Sequence, residues 1–317
     1  MPPKKSDFDW LKDHLSDLAR WGSEAGSLHP DTLNEYGLHS GLKLSGLKHA
    51  IEVFTPNAAK YSSGGHRFSG SVYIDLFAGS GATKVGPRDL LAGSSIIASR
   101  TRKSFDKAIL VEKDSKRATA LRDRLQMAGV DMSRVVLLVD DCNQVVDRVI
   151  AEAKALGPEP IAFICVDPEG MEINWGTLES INAELPRSDY FIVFTGGAQR
   201  VVNAHLKRGT HGESLRSFTG LDDVSLLALS GKDLFDTYQG KIQVDLGKTI
   251  GDSVPIKDDR GQDIYKILLF VTPTFGGSPF FRGYSAMFSR LRGVDVSNVK
   301  VALDILKRGQ STLQTAQ

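Results

Sequence analysis

Five short apolar runs, at 72–77, 108–111, 135–139, 161–166 and 190–194, punctuate the middle of the chain. Between them lie stretches with apolar residues at helical spacing. These are 93–101; 115–128, with Ala118, Leu121 and Leu125 inward; 143–156, with Val146, Val149, Ile150 and Ala153; and 174–185, with Trp175, Leu178, Ile181 and Leu185. Apolar strands alternating with helices predict a parallel sheet covered on both faces. Such a sheet binds ligands beyond the carboxyl ends of its strands, near the point where strand order reverses. The residues just after each strand are therefore the candidate site residues.

Ahead of residue 71 the pattern is helical and loop-rich. Trp10, Leu11, Leu15 and Leu18 share one helical face, and so do Leu44, Leu47, Ile51 and Phe54, in a helix predicted to end at Thr55-Pro56. The Gly-, Ser- and His-rich stretch 22–41 reads as loop, and 61–70 as a connector. After residue 195 the strand–helix rhythm breaks. Strand-like runs at 241–246 and 264–271 predict a closing hairpin, giving seven strands with one antiparallel. Residues 284–308 read as helical, with Gly309 as a C-cap and a frayed end beyond it. The expected organisation is a helical N-terminal extension (1–70), a doubly wound, mostly parallel α/β domain of Rossmann-like form (71–275), and a C-terminal helical segment with tail (276–317).

Composition narrows the class. The 317 residues are 41% apolar and 24% charged with a formal net charge of +1, which excludes a polybasic or polyacidic chain and argues against wholesale disorder. No apolar run approaches the ~20 residues of a bilayer span. The start, MPPKKSDFDW, has no apolar stretch behind its lysines and is not read as a signal peptide. Two cysteines, Cys142 and Cys165, cannot by themselves form a disulfide framework or a zinc site, and the seven histidines show no ligand spacing, so no metal is expected. A reducing cytoplasm is the expected compartment.

The strand ends carry the chemistry. The first reads YIDLFAGSGATKVG, with Asp75 inside the apolar run and Gly79 and Gly81 in a tight turn that lets backbone approach a ligand. A nicotinamide fingerprint needs a third glycine where Lys84 stands, and Glu112 lies well past the ~20-residue spacing of that motif, so NAD is disfavoured. Glu112, ending the second run, can accept both hydroxyls of a ribose. Asp141, or Asp140, can accept from an exocyclic amine. Asp167, before Pro168, is biased to extended backbone. Each has a plainer reading: Asp75 bonding its own turn, Glu112 and Asp141 as helix N-caps, Asp167 as a turn residue. Together they suit an adenosine-bearing ligand with a cationic end. Lys116, Arg117, Arg122 and Arg124 read as the water-facing side of their helix. Arg200, Lys207, Arg208 and Arg216, against Glu213 alone, form a basic segment that is either a solvated loop or a phosphate contact.

The order DLFAGSG, VEKD, VDDCN, VDPEG resembles the class I S-adenosylmethionine-dependent methyltransferases. More narrowly, Gly46-Leu47-Lys48-His49-Ala50, Tyr73 to Gly79, Gly93-Ser94 and Asp167-Pro168-Glu169-Gly170 resemble the three-Cys-motif partner proteins, over roughly residues 42 to 272. The resemblance implies S-adenosylmethionine as cofactor. Its methionine part would lie in a cradle of Asp75, Gly79 and Gly81 with Phe77 and Ala78. Its ribose would lie on Glu112 beside Lys113, and its adenine near Asp141 and Cys142. It places the acceptor beside Asp167 and Pro168, with Asp167 also bordering the cofactor and Glu169 as the nearest alternative carboxylate. The chain departs from the Asp-Pro-Pro-Tyr pattern of amine-methylating relatives: Glu169 and Gly170 replace the ring that stacks on a base, and Trp175 is expected to face the core. The implied function is a methyltransferase with a nucleic-acid acceptor, weakly bound by Arg200, Lys207 and Arg208. The alternative is a non-catalytic cofactor-binding scaffold in a nucleic-acid-processing or defence system. A separately encoded protein partner is implied by the group's name; a membrane is not.

Overall fold

The computed structural model describes residues 5–63, 68–195, 201, 204, 208, 212–222, 225–226, 233–258, 260–271 and 279–314. In chain order the first elements are α1 (Asp7–Gly26), β1 (Asn34–Tyr36), α2 (Ser40–Ser63), β2 (Ser71–Asp75), β3 (Ala82–Val85), β4 (Asp89–Ala92) and α3 (Ser94–Ser99). Then come β5 (Lys107–Val111), α4 (Ser115–Met127), β6 (Val135–Leu138), α5 (Val146–Lys154), β7 (Ile161–Val166), α6 (Trp175–Glu184) and β8 (Ser188–Thr195). The chain closes with α7 (Gly212–Thr219), α8 (Asp233–Val244), β9 (Thr249–Lys257), β10 (Asp263–Val271), α9 (Pro279–Arg292) and α10 (Val296–Gln314).

Seven strands form one sheet in the order β6-β5-β2-β7-β8-β10-β9. β2 pairs in parallel with both β5 and β7, so strand order reverses at β2, and β10 is antiparallel to both its neighbours. This is the doubly wound, mostly parallel sheet that the apolar runs predict. The central strands β2, β7 and β8 are buried almost along their whole length because both faces are covered. Tyr73, Phe163 and Phe191 point into a core with Leu15, Leu47, Phe54 and Phe280, while Val72, Ile74, Ile164 and Ile192 point into a second core with Leu178, Ile181 and Tyr238. Each fully buried Leu or Phe contributes roughly 1.5–3 kcal/mol. Among the described residues no helix is long and apolar enough to cross a membrane.

The N-terminal helices pack on the first face. Ser6 caps α1 by accepting the Asp9 N–H at 3.0 Å, with Asp7 and Asp9 in the first turn where they favour the helix dipole. Gly22 is where α1 meets β4: a Cβ there would lie 2.4 Å from the Leu91 backbone, a contact only glycine permits. A second, three-stranded sheet, β1-β3-β4, lies within this region.

Several local expectations need correction. The stretch 22–41 is not all loop, since α1 runs to Gly26 and β1 pairs with β3. The α2 helix passes through Pro56. Thr55 Oγ1 and Asn57 Nδ2 donate to the Ile51 and Val53 carbonyls, bonding the backbone next to the gap left by the missing proline N–H. Residues 82–92 form the β3–β4 hairpin, which no apolar run marks. The run 241–246 ends a helix instead of forming a strand. Leu234, Tyr238 and Ile242, all at most 1% exposed, set the period of α8, and the last two strands are β9 and β10. The α10 helix continues through Gly309 to Gln314.

Candidate functional site

The carboxyl ends of β2, β5, β6 and β7 open into a cleft of about 840 Å³, including its mouth, beside the strand where the order reverses. The β2 turn forms one wall. Gly79 takes φ +61, a left-handed conformation that costs an L-residue about 1–2 kcal/mol. A Cβ there would also fall 2.4 Å from Asn34 Nδ2. Phe77, Ala78 and Gly79 line the cleft. Asp75 and Gly81, expected in the same cradle, do not. Asp75 is fully buried beneath the turn, accepting from Tyr73 Oη at 2.9 Å, Ser95 Oγ at 3.3 Å and the Phe77 N–H at 3.3 Å. Burial pushes its carboxyl up to about 6, against hydrogen bonds from Ser94, Tyr73 and Phe77 that hold it down. Gly81 packs away from the cleft, where a side chain would strike Leu121.

The other strand ends converge on the same space. Glu112 is 6% exposed and lines the cleft, with Oε1 accepting the Asp114 N–H at 2.8 Å. It is not the helix cap. Asp114 caps α4, and among the described residues Oε2 of Glu112 has no hydrogen-bond partner. Lys113 also lines the cleft, ion-paired to Glu172 at 3.0 Å, which raises its ammonium pKa. Asp140, Asp141 and Cys142 form the far end. Asp141 Oδ1 accepts the Asn143 N–H at 2.8 Å, shaping its own turn, and burial pushes the Cys142 thiol up to about 12, leaving it neutral.

Asp167 and Glu169 border the opening, and Pro168 lines an adjoining hollow of about 500 Å³, including its open mouth. The Lys43 ammonium lies 2.7 Å from Asp167 Oδ2, and Tyr36 Oη donates to Glu169 Oε1 at 3.1 Å. Arg117 Nη1 stands 3.6 Å from the same Glu169 oxygen. Burial, then Glu169, pushes the Tyr36 phenol pKa upward. Trp175 is 3% exposed in the second core, with Nε1 donating to Glu179 at 2.7 Å, so it offers no stacking surface to the cleft.

Of the basic segment, Arg200 and Lys207 lie outside the described residues, and Arg208 is exposed and is not among the cleft-lining residues. The expected water-facing row on α4 also divides. Arg117 lines the cleft, and Arg124 is fully buried, donating to the carbonyls of Ala25, Ser80, Leu28 and His29. Arg124 thus ties the end of α1 to the glycine turn.

Asn34, Tyr36, Lys43 and Glu172 were not singled out from the sequence. One signal was legible: Lys43 stands between Leu42 and Leu44 in an apolar helix, where a buried lysine needs a partner. Asn34 is the sharpest of the four. It is 8% exposed and lines the cleft, and its Oδ1 has no hydrogen-bond partner. A buried amide oxygen without a partner carries a desolvation cost that a hydrogen-bond donor would relieve.

No family model and no curated protein matches this sequence. Solved structures similar to it include an O-methyltransferase from Bacillus cereus in complex with SAH, at 14% identity over 70% of this chain and 90% of that one, with a TM-score of 0.41. An rRNA methylase from Streptococcus thermophilus is 12% identical over 71% and 94%, with a TM-score of 0.37. M. jannaschii TYW2 in complex with AdoMet is 10% identical over 71% and 72%, with a TM-score of 0.34.

Proposed function

We propose that the cleft binds S-adenosylmethionine and that the protein is a methyltransferase using it. The observation that carries the reading is the convergence, at one strand-order reversal, of a left-handed glycine turn, a buried amide acceptor and a carboxylate oxygen, both without a hydrogen-bond partner among the described residues. Asn34 Oδ1 beside Gly79 suits the ammonium of the methionine part. Glu112 Oε2 suits the ribose hydroxyls, since one carboxylate oxygen can accept two hydrogen bonds. Asp141 and the apolar surface of Phe77, Val111 and Cys142 suit adenine. Glu112, Asp140, Asp141, Asp167, Glu169 and Glu172 outnumber Lys43, Lys113 and Arg117 along the lining, an acidic balance that favours a cationic ligand.

When bound, the cofactor supplies an electrophilic methyl carbon on a sulfonium. The chain's own part is to hold the nucleophile in line, and positioning of this kind can supply roughly 7–11 kcal/mol. Asp167, with Glu169 behind it, orients the acceptor. Residues 1–70 act as an addition to the 71–275 unit that closes the cleft through Asn34, Tyr36 and Lys43. Membership of the three-Cys-motif partner group, with a separately encoded protein partner, rests on the sequence resemblance alone. A nucleic-acid acceptor rests on that resemblance and on Arg200, Lys207 and Arg208, whereas the described lining is acidic and would repel phosphates.

The test is transfer of tritiated methyl from the cofactor to separated cellular pools of DNA, RNA, protein and small molecules. The reading expects label in one pool with the native protein and a large loss with Glu112→Ala. Cofactor binding without transfer to any pool would favour the scaffold alternative. Absence of binding by the folded protein would end both.

A further inference from the structure

The Lys43–Asp167 ion pair lies on the wall shared by the proposed cofactor cleft and the adjoining open cavity. We propose that this second cavity takes a small phenol and that its hydroxyl oxygen, held between Lys43 and Asp167, is the methyl acceptor; this rests on the cofactor reading above.

Three observations point to an oxygen on a flat ring. First, Lys43 is the one lysine or arginine among the described residues lining the cavity, and its side chain is only 9% exposed. A lysine ammonium carries three donors and no acceptor. An amine nitrogen has one lone pair, so a bond from Lys43 would consume the electrons needed for methylation. A hydroxyl oxygen has two, one for Lys43 and one for the methyl carbon. Secondly, Lys43 Nζ lies 5.1 Å from the Tyr36 ring and 5.6 Å from the Tyr265 ring, and His39 meets Tyr265 edge-on at 5.5 Å. These walls suit an aromatic guest. Thirdly, the other ionisable groups lining the cavity are the Asp167 and Glu169 carboxylates, the Tyr36 and Tyr265 phenols, and His39, held toward its neutral form by burial and by Lys43. That set repels a phosphorylated guest. Burial and these carboxylates push the two phenols already lining the cavity, Tyr36 and Tyr265, upward, so a guest phenol is held in its neutral form with its proton donated to Asp167.

The step balances without a further reactant. A lone pair of the phenol oxygen forms the C–O bond while the C–S pair leaves with sulfur, which becomes a neutral thioether. The phenolic proton, made strongly acidic as the ether forms, passes to the Asp167 carboxylate and then to water. Lys43 donates to the oxygen's other lone pair and so fixes the direction of attack.

A chromogenic nitrophenol, whose anion absorbs visible light, reads this geometry without turnover. Its ionisation is titrated on the full chain saturated with S-adenosylhomocysteine, whose own binding is measured separately by calorimetry. The bound nitrophenol should ionise at least about tenfold less readily than in water. Asp167→Asn should abolish most of that suppression, because the nearest negative charge is removed. Lys43→Met should deepen it, because the cation is removed, and Lys43→Arg should leave it close to native. This opposite sign distinguishes the proposal from a structural role of the pair and holds even if Lys43→Met does not fold. An unshifted nitrophenol on protein that binds S-adenosylhomocysteine overturns the phenol assignment while leaving the cofactor reading intact. Displacement by a tyrosine-containing peptide but not by free phenols overturns the small-molecule source. Transfer of label to an amine of an oligonucleotide overturns the oxygen acceptor.

Discussion

Asp75→Asn should make the protein more stable near neutral pH and a poorer cofactor binder. The carboxyl is fully buried, and burial raises it from an ordinary 3.8 to about 6. Between those values the folded chain still holds the proton that the unfolded chain has released. The folded state therefore binds more protons, and stability falls as pH rises through this window. Above pH 6 the whole cost is present. A shift of that size corresponds to about 3 kcal/mol. Asparagine keeps the shape and satisfies the same partners. Its oxygen accepts the Phe77 N–H, and its amide donates to the Tyr73 and Ser95 hydroxyls, which can rotate to accept. Urea unfolding of both proteins at pH 4.0 and pH 7.5 isolates the effect. The stability advantage of Asp75→Asn should grow by about 2–3 kcal/mol from the lower to the higher pH. An advantage that stays flat would refute the placement of an ionised carboxylate in this environment. The same charge, beneath the turn, is what a cationic ligand would feel, so the stabilised variant should bind S-adenosylmethionine more weakly.

Further outcomes follow from the site. Gly79→Ala must adopt a left-handed backbone and push Asn34 aside, so calorimetry should show cofactor affinity reduced tenfold or more, with stability lowered by about 1–2 kcal/mol. Arg124→Met leaves four carbonyls without their donor. It should destabilise the fold by on the order of 3–5 kcal/mol in denaturant titration, with amide exchange quickening first at the end of α1. The opposite responses of the bound nitrophenol to Lys43→Met and Asp167→Asn are the corresponding outcome for the acceptor cavity.

The sheet was legible because both its faces are buried. Runs such as 161–166 have no polar interruption, and their alternation with helices leaves few topologies. The strand-end acids were legible for a related reason: Glu112 and Asp167 terminate apolar runs, so a charge there must sit at the sheet's edge. The β3–β4 hairpin was not, because its four-residue strands carry Thr83, Lys84 and Asp89 and are too short to show a period. The strand expected at 241–246 arose from the alternation of Ile242, Val244 and Leu246. The decisive spacing was the fourfold step from Leu234 through Tyr238 to Ile242, and Val244 is 81% exposed. Arg124 fell on the wrong side because helical periodicity alone does not reveal that α1 ends above it. Asn34, Tyr36 and Lys43 come from residues far ahead of the sheet in sequence, and only the packing of α2 and β1 brings them to the cleft. Gly81 was placed in the cofactor cradle by its motif, yet its left-handed backbone serves close packing against Leu121.

Isothermal titration of the full chain with S-adenosylmethionine and S-adenosylhomocysteine, repeated on Glu112→Gln, tests the central claim most directly. Both ligands should bind at one site per chain. The amide, which keeps the shape but removes the charge-assisted hydrogen bond of about 1.5–3 kcal/mol, should weaken each by roughly 10- to 100-fold. Equal affinity in the native protein and the variant, or no heat at all from the folded protein, would contradict it.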